Sequence, residues 1–229
     1  MTIVDYYRND NMIVEFQNGY KTKAAYNNFK KGHVKNPYDK TIYGIGFVGE
    51  GIHNSKDSIY IIWISMFVRC YDKTELEKHP TYIDCSVCEE WHNFQNFIDW
   101  YHQNYYEIEM QTMNLDKDIL YKGNKIYSPN TCVFVPQNIN KLFTKRDNDR
   151  GKYPIGVTWN KQENKYRAQC NNGKGKQIQL GSYDNIEEAF NIYKKFKEKL
   201  IIQIANEYKD KIPKRLYNAL CNYKVAITD

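Results

Sequence analysis

Residues 114–143 read NLDKDILYKGNKIYSPNTCVFVPQNINKLF, and two turn signals cut this stretch into strands and a helix start. Leu115 leads into three alternating charges, Asp116, Lys117 and Asp118. Gly123 with Asn124 forms one turn, and Tyr127, Ser128 and Pro129 form another. Residues 131–135, TCVFV, are β-branched and apolar, as a buried strand is. Pro136 then stands where its missing N–H does no harm, at the start of a helix that carries Asn138 and Asn140. The order is strand, loop, strand, helix, with acids closing the first strand and carboxamides on the helix. Such an order carries hard oxygen donors from two distant places toward one point. A single divalent cation needs that if it is to hold a phosphodiester while a leaving oxygen departs.

Upstream, Tyr60, Trp63, Ile64, Phe67 and Tyr71 fall at helical spacing, and so do Trp91, Phe94, Phe97, Ile98 and Tyr101. Both stripes predict core-facing helices. Cys85 and Cys88 have the spacing of half a zinc site, but the other cysteines supply no second pair. Buried thiols are expected there, and zinc is not. Nearer the start, residues 12–16 alternate, Asn18 and Gly19 signal a hairpin, and residues 25–29 form a helical turn ended by Gly32. Gly44, Gly46, Gly49 and Gly51 are followed by no helix signal, so a phosphate-cradling loop is a poor reading.

Downstream, residues 144–152 (TKRDNDRGK) are polar and aperiodic, as a linker is. Three β-prone runs follow at residues 153–159, 164–170 and 176–181, then a helix from about Ile186 to Tyr208. The period-two pattern points Tyr166, Ala168, Cys170, Ile178 and Leu180 at that helix. Arg167, Gln169, Asn171, Gln177 and Gln179 face the other way. An exposed face of one Arg and several carboxamides suits base edges, since Arg pairs with guanine and Asn or Gln with adenine. The face lacks stacking aromatics, which argues against single-stranded RNA. Lys211, Lys214 and Arg215 flank Pro213 in a basic tail that suits backbone phosphates.

The chain has 229 residues, a formal net charge of +6 and 21 tyrosines. Basic charge interleaved with aromatics and amides suits a polyanionic partner. Six scattered cysteines without a leader segment read as reduced thiols, so a cytoplasmic setting is expected. No apolar run is long enough to span a membrane.

The order of residues 114–143 resembles the ββα-metal finger of HNH endonucleases, in the form carried by phage and mobile intron proteins. The resemblance extends over residues 58–143 through Arg69, Cys70 and Tyr71 and through Val87, Cys88, Glu89, Glu90 and Trp91. It implies one Mg²⁺ or Mn²⁺, with Asp116 or Asp118 as its acid ligand and Asn138 or Asn140 as its helix ligand. Asn124 or Asn130 would be the loop asparagine. The chain departs from the family in that no His follows either Asp. Lys117 occupies the place of the general base if Asp116 is the matched acid. A carboxylate off the metal, His92 or His102 are the other candidates for that role. In an extended strand Lys117 would point away from both acids.

Residues 150–206 are similar to an Apetala-type domain, the DNA-binding module of plant ethylene-response factors, also found fused to phage HNH nucleases. That resemblance implies a three-stranded antiparallel sheet on one helix, reading the major groove of double-stranded DNA with its open face. It adds Thr158 and Asn160 to that face. Together the resemblances imply an α+β protein in four parts. These are an accessory β-hairpin module (1–57), a nuclease-like domain (58–145), a DNA-binding domain (150–206) and a basic helical tail (207–229). The implied activity is site-directed, metal-dependent DNA nicking, by a monomer or a homodimer, in the host cytoplasm if phage-encoded. The alternative is a catalytically inactive HNH-derived DNA-binding protein, acting as a regulator or a host-defence antagonist.

Overall fold

The computed structural model describes residues 1–144 and 152–229, so the expected linker at 144–152 lies almost wholly outside the described residues. The fold is α+β. Its contacts divide into two compact units, residues 1–101 and 102–229.

The first unit opens with an antiparallel sheet of β1 (Thr2–Arg8), β2 (Asn11–Glu15) and β3 (Lys21–Ala24), in that order. The predicted turn at Asn18 and Gly19 joins β2 to β3, with Gly19 at φ +84°, a conformation only glycine adopts freely. Met12 and Val14 alternate inward from β2 and are fully buried. α1 (Tyr26–Lys30) follows and stops at Gly32, φ +68°. The first predicted aromatic stripe forms α2 (Ser58–Tyr71), and the second forms α4 (Phe94–Asn104), with Trp91 in the 3-10 turn just before it. Between them α3 (Lys73–Lys78) starts where the Asp72 carboxylate accepts the Glu75 N–H at 3.1 Å. Trp63, Phe67, Trp91, Phe94 and Phe97 are fully buried, and ring centroids lie 4.8 Å apart for Trp63–Phe67 and 4.7 Å for Trp91–Trp100. The Trp63 indole N–H donates to the Trp91 carbonyl at 2.7 Å, which lets so polar a ring sit in the core.

In the second unit β4 (Met113–Asp116) pairs antiparallel with β5 (Val133–Pro136), with Asp116 opposite Val133. Pro136 caps α5 (Gln137–Asn140), a single turn. A separate sheet follows, of β6 (Val157–Asn160), β7 (Lys165–Asn171) and β8 (Gln177–Tyr183), with β7 central. Then come α6 (Ile186–Glu207), capped by the Asn185 side chain on the Glu187 N–H, and α7 (Lys214–Asn222).

α6 serves two apolar clusters. Its first half gives Ala189, Phe190 and Tyr193 to Val157, Ala168 and Cys170 of the sheet. Its second half gives Ile201 and Ala205 to Ile119, Val133 and Val135 of the β4–β5 hairpin and to Ile139 of α5. At about 1.5 Å rise per residue, 22 residues reach roughly 33 Å, enough to bridge both. The hairpin and the C-terminal sheet therefore share α6, and the contacts group into two units where four parts were expected. The basic tail also needs correcting. Leu216 and Leu220 of α7 are buried in the hairpin cluster, and Val225 is buried in the sheet cluster. Residues 207–229 are part of the core, because the polar sequence hides a two-leucine stripe at helical spacing.

Candidate nucleic-acid interface

Two places gather the residues singled out above: the loop after β4 and the open face of the β6–β7–β8 sheet.

At the loop, the strand ends with Asp116 and the chain turns. The Asp116 Oδ1 atom accepts the N–H groups of Asp118 at 2.9 Å and Ile119 at 2.7 Å, so this carboxylate caps the turn. Lys117 then swings inward rather than away from both acids. Its side chain is buried, and Nζ donates to Asp118 Oδ2 at 3.0 Å and to the Asn124 carbonyl at 3.2 Å. The strict alternation expected there fails because the extended conformation stops at Asp116. Asn124 closes the loop, its Nδ2 donating at 2.7 Å to the carbonyls of both Lys117 and Ile126. Asn130 is exposed. Burial and the neighbouring Asp118 charge push the Asp116 carboxyl up to about 6, against the two amides and Lys117.

As a cation site this loop is already partly satisfied. The Lys117 ammonium sits on Asp118, and Asp116 holds two backbone amides, so a divalent ion would have to displace the ammonium. Asn138 is exposed on α5 and lines a groove that neither acid lines, while Asn140 is half-buried. His92 and His102 are half-buried and exposed, respectively, and His92 Nε2 lies 3.0 Å from the Val87 carbonyl.

The sheet face is gathered. Thr158 lies opposite Arg167, which lies opposite Ser182; Gln169 faces Gln179, and Asn171 faces Gln177. Asn160 continues the row at the β6–β7 turn, opposite Lys165. All seven predicted face residues thus share one side, while Val157, Ala168 and Cys170 are buried against α6 on the other. A bulge between Gln179 and Gly181 shifts the register once, so β8 curls across β7.

Sequence reading missed Glu163. Set in the β6–β7 turn, it reaches back over the face, Oε2 accepting the Ser182 hydroxyl at 2.5 Å and Oε1 lying 3.5 Å from Arg167 Nη2. The Ser182 bond and then the Arg167 charge hold its carboxyl below the usual range. The i,i+4 spacing across a turn was the available signal.

The chain matches no protein-family model, no curated protein and no solved structure. These surfaces alone carry its functional reading.

Proposed function

We propose that this protein binds double-stranded DNA through the open face of its C-terminal sheet. The observation that supports this most is the shared side of Thr158, Asn160, Arg167, Gln169, Asn171, Gln177 and Gln179 on a sheet whose reverse packs on α6. Carboxamides and one guanidinium at strand spacing present paired donors and acceptors of the kind that base edges in a major groove accept. Binding-site selection on the full chain, followed by anisotropy titrations, tests it. Arg167→Ala should cost about 1–3 kcal/mol at one base-pair position and little elsewhere. Failure to enrich any sequence, with no salt-dependent binding to mixed duplexes, would end the DNA reading.

A second reading, metal-dependent nicking at the loop after β4, is favoured by one observation. Asn124 ties the two ends of that loop together beside a pair of carboxylates, as the loop asparagine of an HNH finger is expected to. Asp116 and Asp118 are the groups that would hold Mg²⁺ or Mn²⁺, once Lys117 is displaced. A supercoiled plasmid incubated with either metal decides between the readings. Nicking lost in both Asp116→Ala and Asp118→Ala supports cleavage, and intact plasmid alongside retained DNA binding leaves the non-catalytic protein.

A further inference from the structure

The turn between β6 and β7 sets an acid over the open face of the sheet. Glu163 Oε2 accepts the Ser182 hydroxyl at 2.5 Å, and Oε1 lies 3.5 Å from Arg167 Nη2. Ser182 stands directly opposite Arg167 across β7 and β8, so the carboxylate reaches the central strand and is tied to its neighbour. The turn itself is held. Asn160 Oδ1 accepts the Gln162 N–H at 3.1 Å, and Asn164 takes φ +52°, the left-handed region that asparagine tolerates. Arg167 is confined as well. Its side chain is 32% exposed, and Nε is sealed from solvent with no hydrogen-bond partner among the described residues. What it can offer a ligand is therefore its two Nη groups. The Glu163 side chain is 46% exposed and keeps lone pairs beyond the two that Ser182 and Arg167 engage. An ion pair this exposed adds little to stability, so bracing the turn is a small part of what it can do.

The pair places guanidinium N–H donors next to a carboxylate acceptor. Across the major groove a G·C base pair shows two acceptors, guanine N7 and O6, and then the cytosine N4 donor. O6 and N4 are hydrogen-bonded to each other and so stand about 2.9 Å apart. Arg167 and Glu163 present the converse order, donors and then an acceptor, with 3.5 Å between Nη2 and Oε1. On A·T the same groups meet the wrong partners, since adenine N6 is a donor and thymine O4 an acceptor. We propose that Glu163 and Arg167 act together as the reader of one G·C base pair, Arg167 on guanine and Glu163 accepting from cytosine N4. This deepens the DNA reading and rests on it. It makes Glu163 a residue of specificity, because phosphates repel a carboxylate and only a cytosine amino group rewards one at this place.

The test starts from the duplex that site selection yields for the full chain, in which Arg167→Ala locates the base pair that Arg167 reads. The wild type is then titrated by anisotropy against that duplex with N4-methylcytosine in place of the paired cytosine. The methyl group leaves base pairing intact and blocks the N–H that faces the major groove. Affinity should fall on the order of tenfold, as for one mismatched base pair. Glu163→Ala should bind the plain duplex about as weakly and be indifferent to the methyl group. Glu163→Gln keeps an acceptor oxygen and should retain part of the cytosine preference. Arg167→Ala and the double variant with Glu163→Ala should lose the same preference at the same position, with costs that do not add. A wild type that binds plain and methylated duplexes alike overturns the proposal and leaves the DNA reading standing. So does a Glu163→Ala protein that weakens on every sequence and still feels the methyl group, or a preference lost at any pair other than G·C. A wild type that enriches no sequence and binds no duplex removes the DNA reading, and this proposal with it.

Discussion

Asp116 illustrates how one side chain can be read in two ways. Its Oδ1 atom caps a turn, while burial and Asp118 raise its carboxyl to about 6. The folded state therefore holds the proton more tightly than the unfolded chain. The resulting stabilisation is complete below the unfolded carboxylate value, near 4, and is lost as pH climbs through about 6. Asp116→Asn keeps an acceptor for both amides and cannot ionise. It should equal or exceed the wild type in urea midpoint at pH 7 and lose that advantage by about pH 4. Asp116→Ala removes the acceptor and should cost about 1–2 kcal/mol at either pH. An Asp116→Asn protein weaker than wild type at pH 7 would contradict this balance. The acids, Asn124 and the seven face residues were legible in sequence because each belongs to a local pattern. Lys117 was misjudged because where a strand ends depends on a side-chain cap that alternation does not reveal.

At the scale of elements, the hairpin and sheet patterns were legible wherever a turn residue or an alternation marked them. β1 was not, because its side chains are nearly all exposed and leave no apolar period. The sheet depends on one close approach. Gly156 has φ +76°, and a Cβ there would run into the Tyr193 ring of α6. Gly156→Ala should therefore destabilise the second unit by on the order of 2–4 kcal/mol, from backbone strain plus overpacking. Loss of near-ultraviolet tyrosine signal at a lower denaturant midpoint would report it, and an unchanged midpoint would place Tyr193 elsewhere. Arg215 carries a similar lesson about charge. It was read as a phosphate contact, yet its Nη2 donates to the Cys132 carbonyl at 2.9 Å and lies 3.3 Å from Asn104 Oδ1. Arg215→Ala should cost roughly 1.5–3 kcal/mol of stability and leave unchanged the salt slope of the proposed duplex binding.

For the molecule as a whole, what sequence left hidden was which distant segments share a core. Leu216 and Leu220 are among the most deeply buried residues, at 0% and 1% exposure. Leu216→Ala should cost about 2–5 kcal/mol. Deleting residues 207–229 should open both clusters of the second unit, read as rapid proteolysis of the β6–β7–β8 sheet while the aromatic core around Trp63 stays protected. A protected sheet would restore the view of the tail as an appendage. The Lys122–Asp229 ion pair, 2.6 Å long, joins residues 107 apart in sequence. During synthesis the hairpin loop leaves the ribosome early and must wait for its partner, because non-local contacts of this span form only after loop-closure entropy is overcome. The first unit can reach its native state while the second is still being translated. Until Ile201, Ala205, Leu216 and Leu220 have emerged, the β4–β5 hairpin presents an uncovered apolar surface. Chaperone capture of nascent chains should peak in that interval, and a product stalled there should be cleared rather than accumulate.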